Sequence, residues 1–323
     1  MKNIILYDSS RQTFDTNTRY SLMGIAMILI FMFHVSQHGE YDNIPQKIIY
    51  YVFGRGWVGV DVFFLLSTYG LSFSYNKGLL RFYKNRVRRI IPLYVITLVI
   101  CYIESNTDFV SAIKEFLLQI TGLAIFDGTR DILWYMEALV LLYISFPVLY
   151  KLTQKVFRYG VFLYISICIL THLLLIFIDD YCLQLAIKRI PVMMLGIITY
   201  LSDQDGNERK LLLYYGVLSV VAIMPLVDDM FFYVPSGVIL LSKCKVLNRI
   251  RFLSFVGRHS LEIFIAHHFS LWGFNYFRGM NYYLIILLIL ISTIVFSIVA
   301  FYVNKYLNLL FDKCWLQKKI FCS

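Results

Sequence analysis

The chain has 323 residues, 59% of them hydrophobic and only 15% charged, against roughly 45–50% and 25% in soluble domains. Even a domain of about 300 residues buries only about three-quarters of its surface, so a soluble enzyme, a secreted disulfide domain and a disordered chain are excluded. The net charge of +10 sits in short basic clusters between apolar runs, as in membrane-protein loops, and no nucleic-acid partner is expected.

The long apolar runs predict an all-α polytopic integral membrane protein, because backbone polar groups cannot be left bare in lipid. The alternating ten-residue segments of a barrel are missing. About ten transmembrane helices are expected, near 20–37, 57–75, 90–104, 132–150, 159–178, 183–201, 211–227, 230–242, 254–277 and 281–304. The first run has no small-residue cleavage site after it and reads as a retained helix, not a signal peptide. The stretch 110–126 is apolar but carries Lys114, Glu115 and Gly122; it is expected to lie in the outer interface or to re-enter. With the N-terminus inside, 23 of the thirty Lys and Arg fall in inner segments. That split places both termini in the cytoplasm. Residues 1–323 read as a single membrane domain, with a short cytoplasmic N-terminal segment (1–19) and a C-terminal tail (305–323).

An ionisable group within a span is costly, so each one is a functional hypothesis. His34 lies fourteen residues into the first span, about 21 Å along it, near the outer face. It suits a general base, or a core histidine bonded to a neighbouring helix. His38 is four residues on, but no third ligand accompanies the pair and no metal is expected. Asp61, near the outer start of the second span, is expected at the depth of His34. It could fix a histidine tautomer or cap its helix. The preceding Gly54-Arg55-Gly56-Trp57-Val58-Gly59 fits a dinucleotide fingerprint only in letters, since no strand precedes it.

Residues 81–94 form the densest basic cluster. Arg86, Arg88 and Arg89 read either as an orientation signal at the lipid headgroups or as a clamp on the phosphates of a cytoplasmic ligand. Trp134 and Glu137 open the fourth span from outside, with Glu137 buried. In the ninth, Glu262 is expected either to snorkel to the interface or to pair with Arg258. The adjacent His267 and His268 point about 100° apart, so only one is expected to face any given site.

Three motifs come in order: Ser21-Leu-Met-Gly-Ile-Ala-Met27 before His34, Gly59-Val-Asp-Val-Phe-Phe-Leu-Leu-Ser67, and Phe82-Tyr-Lys-Asn-Arg86-Val-Arg-Arg-Ile-Ile-Pro92-Leu-Tyr94. With Trp134-Tyr135, Pro147 and Ser260-Leu-Glu-Ile-Phe-Ile-Ala-His267 they resemble the type 3 membrane acyltransferases over about residues 16–300. The resemblance implies a ten-helix bacterial protein of the cell (inner) membrane that moves an acyl group, usually acetyl, from acyl-CoA to a carbohydrate hydroxyl. It implies His34 and Asp61 at the reacting end and Arg86, Arg88 and Arg89 on the acetyl-CoA donor. Trp134, Glu137 and His267 then fall to the acceptor. No permanently bound cofactor is implied; acyl-CoA, a carbohydrate or lipid-linked glycan, and membrane lipids are the partners. The family's arginine eleven residues before the first-span histidine is here Met23. Arg19, one turn earlier, either replaces it on the donor or is an ordinary positive-inside residue. Ser67-Thr68 stands where the family has Ser-Gly. A glycan transporter uses similar intramembrane groups for proton coupling, but the inverted repeat that would favour it is not found. A non-catalytic assembly subunit is the third reading.

Overall fold

The computed structural model of the chain describes residues 12–37, 43–105, 108–127, 133–221, 233–244, 246–247, 250–276 and 280–321. The regular structure among them is helical throughout. α1 (Thr16–Gln37) starts where Asp15 accepts the Thr18 amide at 2.7 Å. α2 (Ile44–Phe53) is capped by Asn43 and carries Pro45 in its first turn, where a missing N–H costs nothing. A 3-10 turn at Gly56–Val58 leads into α3 (Gly59–Tyr75). α4 (Leu79–Ser105) runs through the basic cluster and Pro92. α5 (Phe109–Thr121) begins on Asp108, whose carboxylate takes the Val110 and Ser111 amides, and stops at Gly122, which has φ +77°. A β-carbon is disfavoured there.

α6 (Trp134–Tyr159) and α7 (Val161–Leu175) follow, then α8 (Tyr181–Lys188) and α9 (Ile190–Asp205). The remainder is α10 (Glu208–Val221), α11 (Tyr233–Ser242), α12 (Arg251–Arg258), α13 (Ser260–Tyr276) and the long α14 (Tyr282–Phe321). Among the described residues, five stretches are long and apolar enough to cross a membrane: Thr16–Gln37, Ile44–Tyr75, Trp134–Tyr159, Tyr181–Asp205 and Tyr282–Leu310. They coincide with the first, second, fourth, sixth and tenth expected spans. The 13 residues of α5 reach about 20 Å, short of the hydrocarbon thickness of about 30 Å.

α1 runs through the middle of the bundle. On one side it meets α12 closely: a β-carbon on Gly257 would strike the Tyr20 carbonyl, and one on Gly24 the Leu253 carbonyl. Ser21 and Ser254 share a hydroxyl hydrogen bond of 2.8 Å in the same contact. Small residues allow this approach where lipid gives helices no hydrophobic drive to associate. On its other side α1 packs antiparallel to α3, with Gly56 against Leu29 and Phe33, Gly59 against Ala26 and Ile30, and Gly70 against Arg19. These contacts set the register of the two helices. The segment before α1 is tied to the end of α9: the Thr13 amide donates to the Asp203 carboxylate at 3.0 Å, and the Tyr69 hydroxyl does so at 2.7 Å. Phe14 is buried edge-on against Tyr69.

Candidate active site

Among the described residues, two adjoining cavities lie at the basic end of the bundle. The inner one, about 120 Å³, lies between α1, α3, α4, α6 and α13. Arg19, Met23, Arg86 and Arg89 reach its wall, and Phe264 and Tyr135 help to line it. The outer one is larger, about 720 Å³, and takes in Lys77, Arg81 and Tyr200. Arg19, Gly70 and Arg86 belong to both, so they form the neck between them. At that neck a β-carbon on Gly70 would lie 2.9 Å from Arg19 Nη1.

The Arg86 guanidinium lies over the Tyr143 ring at 5.8 Å. Burial draws its pKa below the ordinary guanidinium value, opposed by Tyr143 and reinforced by Arg89 and Arg19. Arg88 lines neither cavity. At about 100° per residue, positions 86 and 89 share a face of α4 that 88 does not. Of the three clustered arginines, the structure therefore brings two to one space.

Phe264 marks the far wall of the inner cavity. Its ring packs on Tyr135 at 4.8 Å and on His267 and His268 at 5.2 and 4.9 Å. Beyond it the three histidines cluster: His34 lies 5.3 Å from His267 and 5.8 Å from His268, ring centre to ring centre. The expectation that only one of the adjacent pair faces a given site is corrected here. A separation of about 100° leaves both rings on the half of α13 that faces α1. His267 is fully buried, and neither ring nitrogen has a hydrogen-bond partner among the described residues. No group of His, Cys, Asp and Glu that could hold a metal occurs among the described residues. His38 lies outside them.

Asp61 is placed differently from the expectation. The register of α1 against α3 sets it level with residues near 27, roughly 10 Å inward of His34 along the helix axis. Its Oδ1 meets Arg189 Nε at 3.0 Å, with the two side chains 0% and 2% exposed. Arg189, at the junction of α8 and α9, also donates to the Leu185 carbonyl at 2.6 Å and lies over the Trp134 ring at 5.1 Å. Trp134 thus joins the Asp61–Arg189 pair. Glu137 is buried one turn further along α6. No sequence motif singles out Arg189, which falls inside the expected sixth span. The available signal is its place directly before an apolar run starting Ile190-Pro191. Glu262 accepts from Asn304 Nδ2 at 3.0 Å, while Arg258 lies over Tyr20 at 5.7 Å. The expected partner Arg258 is thus replaced by a side chain of α14, far along the sequence.

An acyltransferase-domain profile, that of the type 3 acyltransferases, matches residues 22–302. The chain belongs to the type 3 acyltransferase family. With its apolar helices, that makes it a membrane acyltransferase. His34, Arg86, Arg89 and His267 fall inside the matched stretch, and Arg19 lies just before it. No curated protein and no solved structure matches the chain.

Proposed function

We propose that this acyltransferase moves an acetyl group from acetyl-CoA to a hydroxyl of a cell-surface or lipid-linked carbohydrate. It does so as one domain of ten spans in the cell membrane, with both termini in the cytoplasm. The observation that carries the proposal is the axial order of the groups. The inner cavity, lined by Arg19, Arg86 and Arg89, joins the outer one toward the basic end, Phe264 forms its far wall, and His34 with His267 stands beyond. A donor with an anionic head and a thioester tail matches that order. Guanidinium groups hold the phosphates, the slim arm enters between the helices, and the thioester points toward His34.

At the reacting end the acceptor oxygen attacks the thioester carbonyl carbon while His34 takes the hydroxyl proton. The C–S bond then breaks, and the thiolate leaves and recovers that proton. Alternatively His34 carries the acetyl group itself and passes it on in a second step. His267, with His34 in ring contact, and the Trp134 and Glu137 turn of α6 serve the acceptor. Asp61 and Arg189 hold the bundle between the two ends.

Surface glycans from cells with and without the gene test the reading by mass spectrometry. Loss of increments of about 42 Da, the mass an acetyl group adds, is expected without it. Glycan spectra that do not change would overturn it.

A further inference from the structure

The outer cavity has chemistry that the acetyl-CoA reading leaves unused. Arg86 and Arg19 belong to the neck, and Arg89 to the inner space. Lys77 and Arg81 line only the outer cavity. Both side chains are exposed. The cations therefore come in two tiers along the axis, one at the neck and one at the rim.

The wall beside the rim is aromatic. Phe73 and Tyr200 meet edge to face at 4.7 Å. The Tyr200 hydroxyl is fixed by Asn76 Nδ2 at 2.8 Å. The segment carrying Gln12 and Phe14, held by the Thr13–Asp203 bond, also lines the cavity. At about 720 Å³ this chamber has room for a nucleotide, and the inner one, at about 120 Å³, does not.

We infer that the outer chamber is a subsite for a nucleoside 3′-monophosphate, and that Lys77 and Arg81 read the ribose 3′-phosphate of the donor. This rests on the acetyl-CoA reading. In coenzyme A the pyrophosphate lies between the pantetheine arm and the ribose. A donor threaded with its thioester inward meets the neck arginines with its pyrophosphate. What remains outside is the adenosine with its phosphomonoester, the one phosphoryl group of the molecule that can carry two charges. The rim cations stand where that group emerges, and the Phe73–Tyr200 wall offers a ring face and edge to the base. A guanidinium and an ammonium converging on one phosphate give charge-assisted bonds that a neutral ribose hydroxyl cannot replace. The protein therefore distinguishes coenzyme A from its 3′-dephospho form at a place remote from the chemistry.

Binding of coenzyme A and of 3′-dephospho-coenzyme A to the purified full-length protein, by titration calorimetry in detergent, tests this. The wild-type protein is expected to bind coenzyme A about tenfold or more tightly than the dephospho form. The double variant Lys77→Gln/Arg81→Gln should bind both alike, at the wild-type affinity for the dephospho form. That retained affinity also shows the variant is folded. Equal affinities in the wild type, or discrimination that survives in the variant, would overturn the inference while leaving the acetyl-CoA reading intact. Binding of neither compound would overturn both.

Discussion

Asp61 and Arg189 form an ion pair inside the helix bundle, Oδ1 to Nε at 3.0 Å, with neither side chain accessible. Both charges have left solvent, and each depends on the other. Removing one partner of such a pair leaves an uncompensated buried charge, at a cost of about 3–5 kcal/mol. Arg189→Gln is therefore expected to lower the melting temperature of the purified protein markedly. Asp61→Asn combined with Arg189→Gln should recover part of that loss. A double variant as unstable as the sum of the two singles would show that the residues act separately.

His34 stands beyond the Phe264 wall in ring contact with His267. Replacing it by alanine is expected to reduce acetyl transfer by about 10²–10⁴-fold, the range for a positioned general base. The protein should still insert and elute as the wild type does. Activity near wild type in a folded His34→Ala protein would remove this histidine from the mechanism.

Arg19 and Met23 line the same inner cavity one helical turn apart. The guanidinium at 19 therefore reaches the space that an arginine at 23 would enter. Arg19→Ala should lose activity, and adding Met23→Arg should restore part of it. Steady-state assays of the three proteins decide the matter; a silent Arg19→Ala would reduce Arg19 to an orientation residue.

The clustered arginines of α4 are not equivalent, since Arg86 and Arg89 reach the cavity and Arg88 does not. Changing Arg86 or Arg89 to Gln should raise the apparent KM for acetyl-CoA by about tenfold or more, the worth of one charge-assisted bond. Arg88→Gln should leave it within about twofold. Three variants with the same KM change would show that the cluster acts only through its summed charge.

Gly70 keeps the neck open beside Arg19 Nη1. Because the neighbour is the end of a flexible side chain, Gly70→Ala is expected to fold normally. Gly70→Leu should fill the neck, raising the KM for acetyl-CoA more than it lowers the melting temperature. An unchanged KM in Gly70→Leu would place the donor path elsewhere.

Much of this was already legible in the residues. The apolar runs point to helices because lipid leaves the backbone no alternative, and among the described residues five of those runs are long and apolar enough to cross on their own. Asp15, Asn43 and Asp108 cap helices from within a few residues, which is local chemistry. The grouping of Arg86 with Arg89 follows from helical periodicity alone.

What the sequence could not supply is the register of one helix against another. Asp61 was expected level with His34, but the packing of Gly56, Gly59 and Gly70 on α1 sets it roughly 10 Å inward. Only that offset brings it to Arg189, 128 positions away in the chain. Phe264 looks like any apolar residue of α13 until α1 and α6 place it between the cavity and the histidines. Hydropathy and periodicity are properties of one helix at a time. Which faces meet, and at what height, is decided by close contacts between residues distant in sequence, and those exist only once the bundle has formed.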